Sequence, residues 1–318
     1  MNFDRALITS EAYAGLQAQA LGLAERAGLA TELRPLTQHF PWSRLPARLW
    51  PNPLQAAGFG PLPANELTIG CGGVAGAVLA SLHRKGHRVV EVQNPRIDPR
   101  QFDLVVVNQH DELTGPNVLV TRTALHRVTP QKLKAAKDIW APRFLHLRKP
   151  LVAVLVGGSN GRFRFGEGEA LQLAVKLGTL LGRDKVGMVI TPSRRTGDAQ
   201  VAILKRILEP LGAYIWDMQG ENPYFGFLAL ADAIVVTMDS ISMVSEAVST
   251  RAPVFVESLP GKSRRIALFA QMLEREGRVR PFAGKLESWP VTPIDDTDWA
   301  AAEMLRRLGE VGRMGEIG

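Results

Sequence analysis

The stretch ADAIVVTMDSISMVSEAVSTRAPVFVE, which ends at Glu257, limits the possible folds more than any other part of the 318-residue chain. Ala233 to Thr237 is a short run of apolar and β-branched residues, the pattern of a strand buried on both faces. The turn Met238-Asp239-Ser240 follows, and then a helix with Val244, Ala247 and Val248 as its apolar stripe. Pro253 opens a second buried run, Val254-Phe255-Val256. Strand, polar turn, helix and strand make a βαβ unit, which requires a parallel sheet and places ligands at the carboxyl ends of its strands. Ser240 and Ser242 occupy the helix start, where backbone N–H groups favour anions such as phosphate. Glu246 lies one to two turns further on, where a carboxylate can accept two hydrogen bonds from a ribose diol. An ordinary capped helix with a solvated Glu is the competing reading.

The rest of the chain repeats the alternation. Arg5–Thr9 reads as a strand and Ala12–Ala27 as a helix striped by Leu16, Ala20, Leu23 and Ala27. Residues 35–65 carry seven prolines, with Trp42, Trp50 and Phe59, and read as a long irregular excursion. Strands follow at 66–70, 88–93, 103–107 and 118–121, with helices ending near Gly86 and starting at Pro130. The basic, turn-rich APRFLHLRKP segment ending at Pro150 marks a boundary between domains 1–147 and 148–318. The second half has strands at 151–156, 186–190 and 213–216, and helices at 167–181, 198–208, 223–231 and 262–276. A last helix, 297–308, is free to pack back on the first domain. The fold expected is α/β: two Rossmann-like, doubly wound domains facing a cleft.

Composition removes several classes. Hydrophobic and charged fractions of 46% and 22% belong to an ordinary globular protein with a sizeable core. A single cysteine, Cys71, rules out an internal disulfide framework and suits a reducing compartment. The start, MNFDRALITSEAYAG, lacks the apolar core of a signal peptide, and no apolar run approaches the ~18 residues of a membrane span. A cytoplasmic protein is expected. The net charge of +7 points to an anionic partner, yet the basic residues are scattered and no nucleic-acid reader motif occurs. Charge and the Pro/Trp stretch allow peripheral contact with the inner face of a membrane through Trp42 and Trp50.

Two further loops follow strands of the second half. Gly157-Gly158-Ser159-Asn160-Gly161 offers backbone N–H groups to a phosphate, or serves a simple steric need. Ser193-Arg194-Arg195-Thr196 offers hydroxyls and guanidinium groups to a diphosphate, or is a solvated basic turn. The rival site is Gly70-x-Gly72-x-x-Ala75 with Glu91, which fits a dinucleotide fingerprint and implies an NAD-dependent epimerase. Such an enzyme would need a Tyr-x-x-x-Lys pair, and Tyr13, Tyr214 and Tyr224 have Gln17, Met218 and Leu228 four residues on. The phosphate loop GxxxxGK[ST], HExxH and GxSxG are all absent, and His83-x-x-x-His87 alone does not make a metal site. His110 and Asp111, at a carboxyl strand end, are candidate general bases, with a capped structural turn as the alternative.

Four stretches resemble the bacterial branch of the mitochondrial-fission ELM1-like family, once described as nucleoside-diphosphate-sugar epimerases. They are FDLVVVNQHDELTGPNVLVTRTALHRVT (102–129), LVAVLVGGSNGRFRFG (151–166), ITPSRRTG (190–197) and NPYFGFLALADAIVVTMDSISMVSEAVSTRAPVFVE (222–257). The family is similar to GT-B glycosyltransferases, with two Rossmann-like domains, no required metal or cofactor, and the nucleotide sugar on the C-terminal one. That resemblance implies Glu246 on the ribose, and Asp239, Ser240 and Ser242 at the diphosphate end. It implies Asn222 and Tyr224 beside the base, and Gly157, Gly158, Ser159, Asn160, Ser193, Arg194 and Arg195 around the phosphates. The first loop, Ser10-Glu11-Ala12-Tyr13-Ala14-Gly15, departs from GT-B members that carry a Gly-rich turn and a catalytic His. Glu11, His110 and Asp111 are therefore the base candidates. The expected function is a metal-independent transferase using a nucleoside-diphosphate sugar and a glycan or lipid-linked acceptor. A non-catalytic scaffold is a further alternative.

Overall fold

The computed structural model describes residues 3–61 and 67–315, with side chains described as far as residue 309. Pro63 and Glu66 of the expected excursion and strand lie outside the described residues. The chain divides into two compact units, residues 1–127 with 295–318, and 128–294.

In the first unit, β1 (Arg5–Glu11), α1 (Ala14–Arg26), β2 (Ala30–Leu36), the single turn α2 (Pro53–Ala56), β3 (Leu67–Cys71), α3 (Gly73–His83), β4 (Val89–Val92), β5 (Leu104–Asn108) and β6 (Val118–Thr121) follow one another. The sheet is parallel throughout, in the order β2-β1-β3-β4-β5-β6. Ala6 and Ile8 pack with Ala20 and Leu23 of α1, while Leu7 packs with Val78 and Leu79 of α3. Alternate residues of one strand thus feed two helix layers, which is why the strands read as unbroken apolar runs.

β2 has no counterpart in the sequence reading, which sees irregular chain from Pro35. Its residues are mostly exposed because it is an edge strand, and an edge tolerates Pro35, which lacks an N–H for the ladder.

The second unit starts earlier than expected, with α4 (Pro130–Trp140). It continues through β7 (Leu151–Val156), α5 (Glu167–Asp184), β8 (Gly187–Pro192), α6 (Asp198–Leu208), β9 (Tyr214–Ile215), α7 (Tyr224–Leu230), β10 (Ala233–Thr237), α8 (Ile241–Val248), β11 (Val254–Glu257), α9 (Arg264–Arg275) and β12 (Val279–Pro281). Its sheet is again parallel, in the order β12-β11-β10-β7-β8-β9. Trp140 stacks on Phe144 at 6.2 Å, and Phe144 meets Tyr214 and Phe227 edge-on at 4.9 and 5.6 Å. Those aromatics carry the APRFLHLRKP segment into the second unit, so the boundary falls at 127/128 rather than 147/148.

α10 (Thr297–Gly315) belongs to the first unit, where Ala300, Ala301, Met304 and Leu308 share a core with α1. Ion pairs hold its entry: Arg26 to Asp295 at 3.0 Å and Arg122 to Asp296 at 2.6 Å. Among the described residues no helix is long and apolar enough to cross a membrane.

Candidate functional site

In the second unit the chain runs outward from β7 through β8 to β9, then returns to place β10 on the other side of β7. The direction of winding reverses between β7 and β10, and that is where an open α/β sheet leaves a crevice at its carboxyl edge. Three loops end there: residues 157–161 after β7, 193–197 after β8, and 238–240 after β10. The sequence placed its nucleotide-binding candidates on these same loops.

Asp239 ties the three together. Its side chain is fully buried and accepts from Thr237 Oγ1 at 2.7 Å and from the Gly158 N–H at 3.1 Å, and it pairs with Arg195 at 2.9 Å. Burying a carboxylate is tolerable only when its lone pairs are met, and here they are met by all three loops. The Gly157 N–H donates to Thr237 Oγ1 at 2.8 Å, and Gly157 O accepts from Ser193 Oγ at 2.8 Å and Thr196 Oγ1 at 2.5 Å.

The expectation that the Gly157 and Gly158 amides face a phosphate is thereby corrected. Thr237 and Asp239 occupy those N–H groups. The glycines are needed for close approach: a Cβ at Gly157 would strike the Asp239 carboxylate, and one at Gly158 the Arg195 backbone carbonyl. Ser159 and Asn160 also serve their own loop. Ser159 Oγ accepts from the Phe165 N–H at 2.9 Å, and Asn160 Oδ1 from the Arg162 and Phe163 N–H groups at 2.9 and 3.0 Å.

α8 starts directly after the turn that follows β10. Ser240 is the N-cap of α8, its Oγ accepting from the Met243 N–H at 3.4 Å. Ser242 is half-buried in the first turn, and Arg194 is exposed on the neighbouring loop. Glu246 lies six residues past the cap, about 9 Å down the helix axis. It is only 8% exposed, and the Tyr224 hydroxyl donates to its Oε2 at 2.5 Å. Burial pushes the Glu246 carboxyl up to about 7, although the Tyr224 hydrogen bond favours the ionised form. Burial, and then the Glu246 charge, push the Tyr224 hydroxyl well above its ordinary range. Tyr224 is set by Asn222, whose Oδ1 accepts the Tyr224 N–H at 3.0 Å. Two residues 22 apart in sequence, each a candidate for the same ligand, are therefore in direct contact.

At its other end α8 is held by Arg278, only 1% exposed. Its guanidinium donates to the carbonyls of Ala247, Val248, Thr250 and Ala252 at 2.7–3.3 Å, and burial lowers it to about 10. These are carbonyls at the end of α8 and in the turn after it, where a cation also suits the helix dipole. Nothing in RVR marks this arginine in the sequence. Thr237 was missed too, although a Thr closing an apolar strand is a legible signal.

The first unit has its own reversal, between β1 and β3. Glu11 ends β1, and Gln38 Nε2 donates to its Oε1 at 2.6 Å. Burial raises the Glu11 carboxyl above its usual range, with the Gln38 bond opposing. Glu91 is wholly buried and accepts the Gly72 N–H at 3.0 Å, and burial raises it well above the carboxylate range. That inward bond removes Glu91 from the ribose role a dinucleotide fingerprint requires. A Cβ at Gly76 would strike Pro95 at 2.9 Å, so this glycine serves packing.

His110 and Asp111 sit in a short turn after β5. His110 is 4% exposed, and Asp111 Oδ2 accepts the Asn108 N–H at 3.3 Å as a cap of its own turn. The structural alternative is the one realised for Asp111. Among the described residues no group of three or more His, Cys, Asp or Glu is placed to hold a metal ion.

The model of the family Mitochondrial fission ELM1 matches residues 14–308. This chain belongs to that family. The mitochondrial fission protein ELM1 of Arabidopsis thaliana is 32% identical over 275 residues, 77% of this chain and 64% of the plant protein. An uncharacterised protein of Rickettsia prowazekii is 30% identical, with 54% of its length matched. The chain thus matches less than two thirds of the length of both relatives. Among solved structures, the UDP-GlcNAc 2-epimerase of Methanocaldococcus jannaschii, in complex with UDP-GlcNAc and UDP, superposes with a TM-score of 0.59. That match is 12% identical and covers 96% of this chain and 99% of the epimerase. The glycosyltransferase SnogD of Streptomyces nogalater gives 0.51 at 13% identity, covering 97% and 96%. At such identities the likeness establishes the fold: two Rossmann-like units of the GT-B type, shared by nucleotide-sugar transferases and epimerases. The ELM1-family chain carries its Glu246–Tyr224 pair and its Asp239 hub within the second of these units.

Proposed function

We propose that this chain is a metal-independent glycosyltransferase that takes a sugar from a nucleoside diphosphate held by its second unit. The observation that carries the proposal is the buried Glu246–Tyr224 pair, on the helix whose capped start lies at the β7/β10 reversal. A ribose diol would donate to the Glu246 carboxylate, with Asn222 and Tyr224 beside the base. The diphosphate would lie toward Ser240, Ser242 and Arg194, where the helix start and the guanidinium stabilise leaving-group charge, while the Ser193 hydroxyl is held by Gly157 O. In the transfer, an acceptor oxygen forms a bond to the anomeric carbon, the bond from that carbon to the diphosphate oxygen breaks, and the acceptor proton goes to a base. Glu11 is the base favoured here, because it ends β1 at the reversal of the first unit and is only half-buried, and burial raises its carboxyl above its usual range. His110 is buried and Asp111 is engaged in its cap, so both stand behind it.

A glycan or a lipid-linked sugar is the acceptor class proposed, and a cytoplasmic location accompanies it. A UDP-sugar such as UDP-GlcNAc is the first donor to try, since the similar epimerase fold holds that ligand. Calorimetric titration with UDP, UDP-GlcNAc and other nucleoside diphosphates should show one that binds, with affinity reduced more than tenfold in Glu246→Ala. Unchanged affinity in that variant would sink the assignment. NAD should not bind, because Glu91 is turned onto Gly72. The plant relative is named for mitochondrial fission and not for a transfer reaction, which favours as a second reading a non-catalytic scaffold that keeps the fold and binds a protein partner. Tight nucleotide binding with no diphosphate released in the presence of any acceptor would favour it.

A further inference from the structure

We infer that the loop between β2 and α2 is a docking tip for an anionic lipid surface. Between Glu32 and Glu66 the chain has no acidic residue, while the loop carries Arg44 and Arg48; Arg34, in β2, pairs with Glu32. Within this stretch Phe40 is 74% exposed, Leu45 47% and Leu49 62%. Three large apolar side chains in one short loop are an unusual surface for water, and basic residues interleave them. Arg44 lies over the Phe40 ring at 5.4 Å, and Arg48 is the exposed neighbour of Leu49.

The loop is organised and not loosely draped. Trp50 is 5% exposed, and its Nε1 donates to the carbonyls of Trp42 and Leu45 at 3.0 and 3.1 Å. The His39 N–H donates to Ala56 O at 3.1 Å and the Thr37 N–H to Ala57 O at 3.1 Å. The tryptophans expected from sequence to touch a membrane are therefore anchors. Trp50 is buried and Trp42 half-buried in the core beneath α3, and they hold Phe40, Leu45 and Leu49 outward. An apolar tip rimmed by arginines, without a carboxylate in its own stretch, matches the boundary between acyl chains and anionic headgroups. A second copy of this chain would bring the same positive charge to the contact, which disfavours self-association. The inference is independent of the nucleotide site.

Flotation with phosphatidylcholine vesicles, with and without phosphatidylglycerol, tests it. Wild type should float with the anionic vesicles and stay below with the neutral ones. Arg44→Glu with Arg48→Glu should lower partitioning by at least about fivefold per residue, and Phe40→Ser with Leu49→Ser should abolish it. Unchanged thermal melting would show that these exposed changes leave the fold intact. An environment-sensitive dye on Leu49→Cys should shift blue on anionic vesicles. The same dye on Leu145→Cys, 81% exposed in the other unit, should not. Failure of wild type to float, equal flotation of every variant, or a shift at position 145 alone would overturn the proposal. So would a lipid-independent dimer in sedimentation velocity that the serine variant dissociates.

Discussion

The two units reverse their winding at equivalent places, and the side chains there are electrostatic opposites. At the first reversal Glu11 ends β1, and Glu91 of β4 bonds the Gly72 N–H just after β3; both carboxyls are raised by burial, and the buried Cys71 thiol is raised by burial and by both acids. Between β7 and β10 stands one carboxylate, Asp239, neutralised by Arg195, with Arg194 exposed beside it and the capped start of α8 adjoining. A diphosphate brought to the first reversal would meet groups that resist negative charge. Brought to the second, it meets an arginine and a helix start. Shared topology makes both positions eligible for a ligand, and charge decides which can take an anion.

The sharpest way to break that comparison is to remove the acid from each side. Asp239→Ala strips Arg195, Thr237 and Gly158 of a shared acceptor and should destabilise the protein by about 3 kcal/mol, with part of the pair's energy screened at the half-exposed Arg195. Glu91→Gln should do the reverse. A carboxyl raised in the folded state contributes stability below its unfolded value and loses it as pH rises through the folded one. Glu91→Gln should therefore be near neutral at acid pH and gain on wild type as pH rises. Urea unfolding of both variants across pH would test this, and a Glu91→Gln deficit that grows with pH would refute it.

Next in size is a pair of glycines. Gly158→Ala drives a Cβ into the Arg195 backbone, and overpacking against an element that cannot yield should cost about 2 kcal/mol. Gly73→Ala meets nothing within 4 Å and adds a helix former at the start of α3, so it should be neutral or slightly stabilising. Equal melting temperatures for the two would mean that the loop after β7 is looser than its hydrogen bonds imply.

This pair also shows what the sequence could and could not say. The βαβ unit at 231–257, the parallel sheets and the capped Ser240 follow from periodicity and turn chemistry, which are local. Glu246 and Tyr224 could be nominated singly, but their contact depends on how α7 and α8 pack. The glycines at 157 and 158 were legible as a tight turn. Whether their N–H groups faced outward depended on Thr237 and Asp239, some 80 residues away. β2 escaped notice because an exposed edge strand has no apolar period to read. The domain boundary was misplaced because Trp140 lies against Gly226 and Phe144 meets Tyr214 and Phe227, partners roughly 70 to 86 residues downstream.

A smaller effect separates the carboxyls by their titration. Glu246, at about 7, is largely protonated at pH 6 and largely ionised at pH 8. A diol donates best to the ionised form, so nucleotide affinity should rise between those values, by up to tenfold per unit while the group titrates. Glu246→Gln should bind more weakly at pH 8 and show no such rise. A pH-independent wild-type affinity would place the ribose elsewhere.

The smallest expected effect concerns Glu11 and Gln38. The Gln38 amide donates to Oε1 at 2.6 Å and favours the ionised carboxylate, opposing the burial that raises it. Gln38→Ala removes that opposition and leaves the burial, so the Glu11 carboxyl should rise further. If Glu11 is the base of the transfer, the rate depends on its ionised fraction. The acid limb of the pH–rate profile should then move to higher pH in Gln38→Ala, with the plateau rate nearly kept, while Glu11→Gln loses the plateau itself. Nucleotide affinity should be unchanged in both, because the groups proposed to hold the donor belong to the second unit. An acid limb that stays in place while the plateau falls would make Gln38 a packing residue and Glu11 a bystander. The reversal of the first unit would then hold carboxyls for reasons of folding alone.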